Sequence, residues 1–283
     1  MRQFVDIIKS RGAHTKDRAA KAVAGSDFVE IKATIPPHQV AQAMERFDLH
    51  AENDEERLIY FFDTPNLDLL RIGIVGRARR RVGGKHDSTI KFRPVEPDQV
   101  PDRWRSLEGF KIEADATDRG VVRSASLTMP VKRGLIKQVA AGEAPISSLF
   151  TEEQVAFLFR LSSHQFDTKA VVTLGPIEAF RWKFEDPALP WPLTAELWRR
   201  PDGAEILELS VKAPAVQAAV IYYGFMAFLA ELGKERDESQ QAKTKWALDF
   251  FAERYRTAGS SPESVDEQPV PKPSVADGER VTA

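Results

Sequence analysis

The sequence predicts an α+β fold in which eight β-strands curl into a barrel with a polar interior, with helices packed outside. Two observations predict it. At least six separate segments alternate a charged with an apolar residue, which in an extended chain sends the charges to one face and the hydrocarbon to the other. Helical segments between them are apolar enough to cover one face of a sheet, which leaves the charged faces to turn toward one another. Closing the sheet on itself also removes its exposed edges.

The chain has 283 residues, 42% hydrophobic and 29% charged, which is enough for a sizeable core in one large or two small domains. Its net charge of -2 and pI near 6.3 give no overall basic field for nucleic acid or an anionic membrane, so any anion site must be local. The absence of cysteine removes disulfides, thiolate metal sites and cysteine nucleophiles, and fits a reducing, cytoplasmic setting. The leader has no long apolar core of the secretory kind.

Residues 1–24 set Arg2, Lys9, Arg11, Lys16, Arg18 and Lys21 against only Asp6 and Asp17, and are expected to form a mobile basic arm. Residues 25–257 are expected to form a single domain. Its first strand is Phe28-Val29-Glu30-Ile31-Lys32, with Phe28, Glu30 and Lys32 on one face and Val29 and Ile31 on the other. Pro36 and Pro37 open a helix in which Val40, Met44 and Phe47 recur at helical spacing. Leu58 to Phe62 is a strand by composition, and Asp63-Thr64-Pro65-Asn66 is a turn signal.

The run from Gly73 to Arg81 puts Arg77, Arg79 and Arg81 on one face, and Val82-Gly83-Gly84-Lys85 reads as a hairpin loop. The returning strand groups Thr89, Lys91 and Arg93 against Ile90 and Phe92, and Lys111, Glu113 and Asp115 repeat the pattern. Residues 118–164 are expected to be helical, most clearly from Thr151-Glu152-Glu153-Gln154, which has capping-box spacing. Three strands follow, Ile177 to Glu185, Leu193 to Arg199 and Glu205 to Lys212, the last two joined by a Pro201-Asp202-Gly203 turn.

The run Pro214 to Leu232 is the most apolar. It is interrupted by Gln217, Tyr222, Tyr223 and Gly224 and is short for a span of ~20 predominantly apolar residues, so a buried helix is expected rather than a membrane helix. A last helix runs from about Ser239 to Tyr255 with Trp246, Phe250 and Phe251 on its apolar side. Residues 258–283, rich in Pro, Ser and acids, are expected to be disordered.

Buried charges need one another, water, or a ligand of complementary charge. The collected faces carry cations and carboxylates together, and a polyanion with a divalent metal satisfies both, because Arg and Lys grip phosphate oxygens while Glu and Asp hold Mg²⁺ or Mn²⁺. The five scattered histidines, His14, His38, His50, His86 and His164, with no cysteine, make a zinc site improbable.

The order of these segments resembles the CYTH family, the triphosphate tunnel metalloenzymes, over about residues 27–255. The family's Glu-x-Glu-x-Lys strand is matched at Glu30 and Lys32. Its tyrosine-Asp-Thr-Pro turn resembles Phe61-Phe62-Asp63-Thr64-Pro65, its Arg-x-Arg strand Arg77-Ala78-Arg79, and its Thr-x-Lys strand Thr89-Ile90-Lys91. The family's acidic strand is resembled by Lys111 to Asp115, its late glutamate strand by Glu205 to Ser210, and its closing Lys/Ser-Lys-Tyr element by Lys243-Thr244-Lys245-Trp246. Phe28 stands where the family's first Glu is expected, and Ser210 where a further late acid is expected.

The resemblance implies an eight-stranded antiparallel tunnel that binds a triphosphate or polyphosphate, with phosphoanhydride hydrolysis or ATP cyclisation as its reactions. In that scheme Lys32, Arg77, Arg79, Lys91 and Arg181 grip phosphates. Glu30, Glu113, Asp115, Glu196 and Glu208 supply metal ligands for Mg²⁺ or Mn²⁺, and Glu30 and Glu208 are the catalytic pair. A triphosphatase is the leading expectation. A polyphosphate- or nucleotide-binding module without turnover and an adenylyl cyclase are the alternatives, and the oligomeric state is open.

Overall fold

The computed structural model describes residues 25–257 apart from 51–54, 118–119, 163–166 and 234–241. The expected basic arm and acidic tail lie outside the described residues, as do His14 and His164.

Nine strands close into a barrel: β1 (Phe28–Ile35), β2 (Arg57–Asp63), β3 (Ile74–Arg81), β4 (His86–Phe92), β5 (Phe110–Thr117), β6 (Gly120–Val131), β7 (Val172–Asp186), β8 (Leu189–Arg199) and β9 (Glu205–Ala213). Around the barrel the order is β1-β5-β6-β4-β3-β2-β7-β8-β9, and β9 pairs back to β1.

Two features correct the eight-stranded antiparallel expectation. The ninth strand is β6, within the stretch expected to be helical. Its inward residues Ser124, Ser126 and Thr128 are polar but uncharged, so the charged alternation that marks the other strands is missing there. In addition, β1 and β5 run parallel, with Glu30 opposite Asp115, which makes the barrel mixed.

Outside the barrel, α1 (Val40–Arg46) and α6 (Ala218–Glu231) cover the outer face of β1, β8 and β9. There Ile221, Phe225, Phe228 and Leu229 join Val29, Ile31, Leu209 and Val211 in one buried cluster. Each such fully buried side chain contributes about 1.5–3 kcal/mol through area removed from water. This accounts for the apolar run 214–232, and among the described residues no helix is long and apolar enough to cross a membrane.

Short helices α2 (Asp68–Arg71), α3 (Asp102–Arg105) and α4 (Leu135–Ala140) and the longer α5 (Glu152–Leu161) close the rest. The capping box forms as expected, with Thr151 and Gln154 bonded reciprocally. The same Gln154 amide donates to the carbonyls of Ser88 and Leu127, so one buried side chain both starts α5 and ties it to β4 and β6.

The Asp63-Thr64-Pro65 signal is structural. The Asp63 carboxylate accepts the backbone N–H groups of Thr64, Leu69 and Leu70, turning the chain from β2 into α2. Gly73 follows with φ +80, and a Cβ there would lie 2.3 Å from the Arg93 carbonyl oxygen, so only glycine lets β3 begin against β4.

The last helix, α7 (Lys243–Thr257), departs from the expectation of helices outside. Its Ala247, Leu248 and Phe251 pack with Ile59, Phe61, Ala179, Trp198 and Ile206. By strand parity Ile59 shares the face of Arg57, Ala179 that of Arg181, Trp198 that of Glu196 and Ile206 that of Glu208, all inward. The helix therefore fills one end of the barrel from within.

Candidate active site

Period-two alternation on nine strands turns one face of each strand inward, and the result is a cavity of about 860 Å³. All ten residues expected at the site line it: Glu30, Lys32, Arg77, Arg79, Lys91, Glu113, Asp115, Arg181, Glu196 and Glu208. The lining holds thirteen Lys and Arg side chains against five carboxylates, a local excess of positive charge inside a chain whose net charge is -2.

The carboxylates gather on one side. Lys32 Nζ sits 3.1 Å from Glu30 Oε2, 3.0 Å from Asp115 Oδ1 and 4.0 Å from Glu208 Oε1. Burial works against its charge, but Asp115, Glu30 and Glu208 outweigh it and hold the ammonium well above the ordinary lysine range. Asp115, 2% exposed, also faces Lys91 at 3.6 Å and Arg93 at 3.3 Å through Oδ2. Burial works to raise its pKa, and Lys32, Lys91 and Arg93 together bring it well below the usual carboxylate range. Glu30 is lowered in the same way, burial being outweighed by Lys32. Ser210 Oγ donates to Glu30 Oε1 at 3.1 Å, so the residue replacing the expected acid orients its neighbour.

Next to this group, Glu196 and Glu208 are directly opposite on β8 and β9. Lys243, the first residue of α7, bridges them, 2.5 Å from Glu196 Oε2 and 3.0 Å from Glu208 Oε1. Burial opposes the charge on both Glu196 and Lys243. Their attraction prevails, lowering the glutamate and raising the lysine.

The other side is guanidinium. Arg79 makes a two-pronged bond to Asp87 at 2.8 and 3.1 Å, and Arg81 reaches the same carboxylate at 2.9 Å. Arg57, 3% exposed, is held by Glu55 at 2.5 Å and stands 3.7 Å from Glu196. Arg77 has no carboxylate within ion-pair distance among the described residues, and its buried Nε has no hydrogen-bond partner. Burial, with Arg79 adjacent, pushes it down to about 9. Lys91 is lowered as well, again chiefly by burial. Such cations are short of negative charge.

Sequence reasoning missed Arg57 and Lys243 as site residues. Arg57 begins the alternation Arg57, Ile59, Phe61 one residue before the recognised strand. Lys243 belonged to a matched motif, but nothing in helical periodicity tells that its helix enters the barrel.

Among the described residues no three metal-binding side chains stand grouped for a cation, so the five carboxylates are not a preformed cage. Mg²⁺ is commonly held by one or two carboxylates with phosphate oxygens and water completing the shell. Glu196 and Glu208 are the opposed pair that would hold such an ion, with the Lys243 ammonium displaced from between them.

No family model and no curated protein matches the sequence. Solved structures do match in fold. One from Bacillus halodurans, described as a "putative adenylate cyclase", superposes with a TM-score of 0.54 at 13% identity, over 78% of this chain and 97% of that one. Another, HpAC1 from Hippeastrum, superposes with a TM-score of 0.54 at 16% identity, over 82% of this chain and 97% of that one. The chain has the CYTH fold. HpAC1 is described as a "putative adenylyl cyclase" that reveals a dominant triphosphatase activity.

Proposed function

We propose that the chain is a divalent-metal-dependent phosphohydrolase acting on inorganic triphosphate or on a nucleoside or organic triphosphate bound inside the barrel. The observation that carries this reading is Arg77, whose buried Nε has no hydrogen-bond partner and which has no carboxylate within ion-pair distance among the described residues, in a cavity whose cations outnumber its acids. A chain of phosphates supplies the missing negative charge, with several oxygens for several cations at once.

In this reading Lys32, Arg77, Arg79, Lys91 and Arg181 hold the phosphates, and Arg57 and Arg93 add to them. Glu196 and Glu208, with Glu30 and Asp115 near them and Glu113 farther along the barrel, would hold Mg²⁺ or Mn²⁺, which would supply charge neutralisation at the phosphoryl oxygens. Glu30, fixed by Ser210 and Lys32 and kept ionised, orients the attacking water together with Glu208, which faces the same Lys32 ammonium. The bond from the terminal phosphorus to the bridging oxygen breaks, the water oxygen replaces it, and the water's proton passes to a carboxylate or to the departing phosphate. Catalysis is then positioning and electrostatics.

A second reading has one observation in its favour. The ammonium groups of Lys32 and Lys243 already occupy the carboxylates, which suits a polyphosphate-binding module without turnover. The deciding experiment is phosphate release from tripolyphosphate, ATP, GTP, thiamine triphosphate and long-chain polyphosphate with Mg²⁺ or Mn²⁺, alongside a cyclic-AMP assay. Release from a triphosphate supports the hydrolase. Calorimetric binding without release assigns the binding module, and cyclic AMP would assign a cyclase.

A further inference from the structure

We propose that Phe28 and Lys212 form a seat for the nucleobase of a nucleoside triphosphate whose phosphates lie in the barrel, which makes the ligand a nucleotide rather than inorganic triphosphate. The inference rests on the phosphate-binding reading above.

Phe28 shares the inward face of Glu30 and Lys32, one two-residue step from Glu30, or about 7 Å along the strand. It is 42% exposed and belongs to none of the buried apolar clusters. One side of its ring is covered by the Lys212 ammonium, 4.3 Å from the centroid. Lys212 is fixed in turn by Glu113 Oε1 at 3.3 Å, and both Lys212 and Glu113 line the cavity.

The position along the barrel matters. On β9, Ile206 packs against α7, Glu208 meets Lys243, and Lys212 lies opposite Glu30 and against Phe28. The ring therefore stands toward the end away from α7, past Glu30 and Lys32 on the same strand. Inorganic triphosphate gains nothing from a phenyl ring there, since the ring donates no hydrogen bond and its face is negative. A nucleobase does gain, because it stacks on any aromatic face, and the lysine pins the ring in place from behind.

The test is calorimetric binding of tripolyphosphate and of a non-hydrolysable ATP analogue to the full chain and to its Phe28→Ala, Phe28→Leu and Phe28→Trp variants. The expected result is a loss of about tenfold or more for the nucleotide in Phe28→Ala and Phe28→Leu, with tripolyphosphate changed by less than about twofold. Phe28→Trp should keep nucleotide affinity and show indole fluorescence quenching on binding. Equal losses for both ligands, or no loss for either, overturns the seat while leaving the phosphate site standing. Failure of the unaltered chain to bind either ligand overturns both. Because the ring is exposed, all three variants should melt with the parent, and a large drop in melting temperature would mark Phe28 as a packing residue and overturn the seat.

Discussion

The ammonium of Lys243 lies 3.0 Å from Oε1 of Glu208, a contact between the first residue of α7 and the inner face of β9. With Glu196 on the same ammonium, the helix supplies a cation that bridges two opposed carboxylates, joining Lys32 on Glu208 and Arg57 on Glu196. The contact is both structural and chemical. It seats α7 in the end of the barrel, and it sits where a divalent ion would otherwise be attracted.

Lys243→Met should therefore destabilise the chain by about 3 kcal/mol, the cost of leaving buried charges uncompensated. The same variant should gain more in melting temperature from added Mg²⁺ than the parent does, because the carboxylates are then free to take an ion. Thermal melts with and without Mg²⁺ check both effects. Equal responses to the metal would mean that Glu196 and Glu208 hold no ion.

Arg77→Met should act with the opposite sign. A desolvated cation without a partner costs stability, so its removal should raise the melting temperature of the ligand-free chain by roughly 2–4 °C for each kcal/mol relieved. The stabilisation produced by tripolyphosphate should shrink in the same variant. A lower melting temperature without ligand would mean that Arg77 supports the fold rather than the ligand.

Asp115 gives the pH dependence. Its folded pKa lies below the ordinary value of about 4, so its contribution is present above that pH and is lost as pH falls toward the folded value. Glu196 follows the same sign. Melting temperature should therefore fall as pH drops below about 4, and Asp115→Asn should flatten that decline while being less stable at pH 7. An acid limb unchanged in Asp115→Asn would refute the assignment.

Glu30→Gln and Glu208→Gln should each lower turnover about 100-fold or more with the fold intact, as expected for groups acting on water or metal. Lys91→Ala should instead weaken substrate binding. Phosphate-release kinetics separate turnover from KM, and normal turnover in both glutamine variants would reject these roles.

Much of the barrel was legible because the signal was charge alternating with hydrocarbon. Glu30 and Lys32, Arg77 and Arg79, and Glu113 and Asp115 each announce a strand and its inward face at once. β6 was not legible, because Ser124, Ser126 and Thr128 line the interior without charge. The parallel pairing of β1 with β5 was hidden too, since alternation tells which face a strand presents but not its neighbour or direction. The entry of α7 into the barrel escaped for a related reason. An apolar helix face such as Ala247, Leu248 and Phe251 fits the inside of a sheet as well as the outside.

The pairing of β1 also bears on how the chain is made. Its neighbours are β5 and, far later in the sequence, β9, so during synthesis the first strand waits as an unpaired edge until residues 207–213 have emerged. Edge strands invite pairing with other chains, and charged side chains deter it. Charged Glu30 and Lys32 on that waiting edge would disfavour its capture by another chain before β9 arrives.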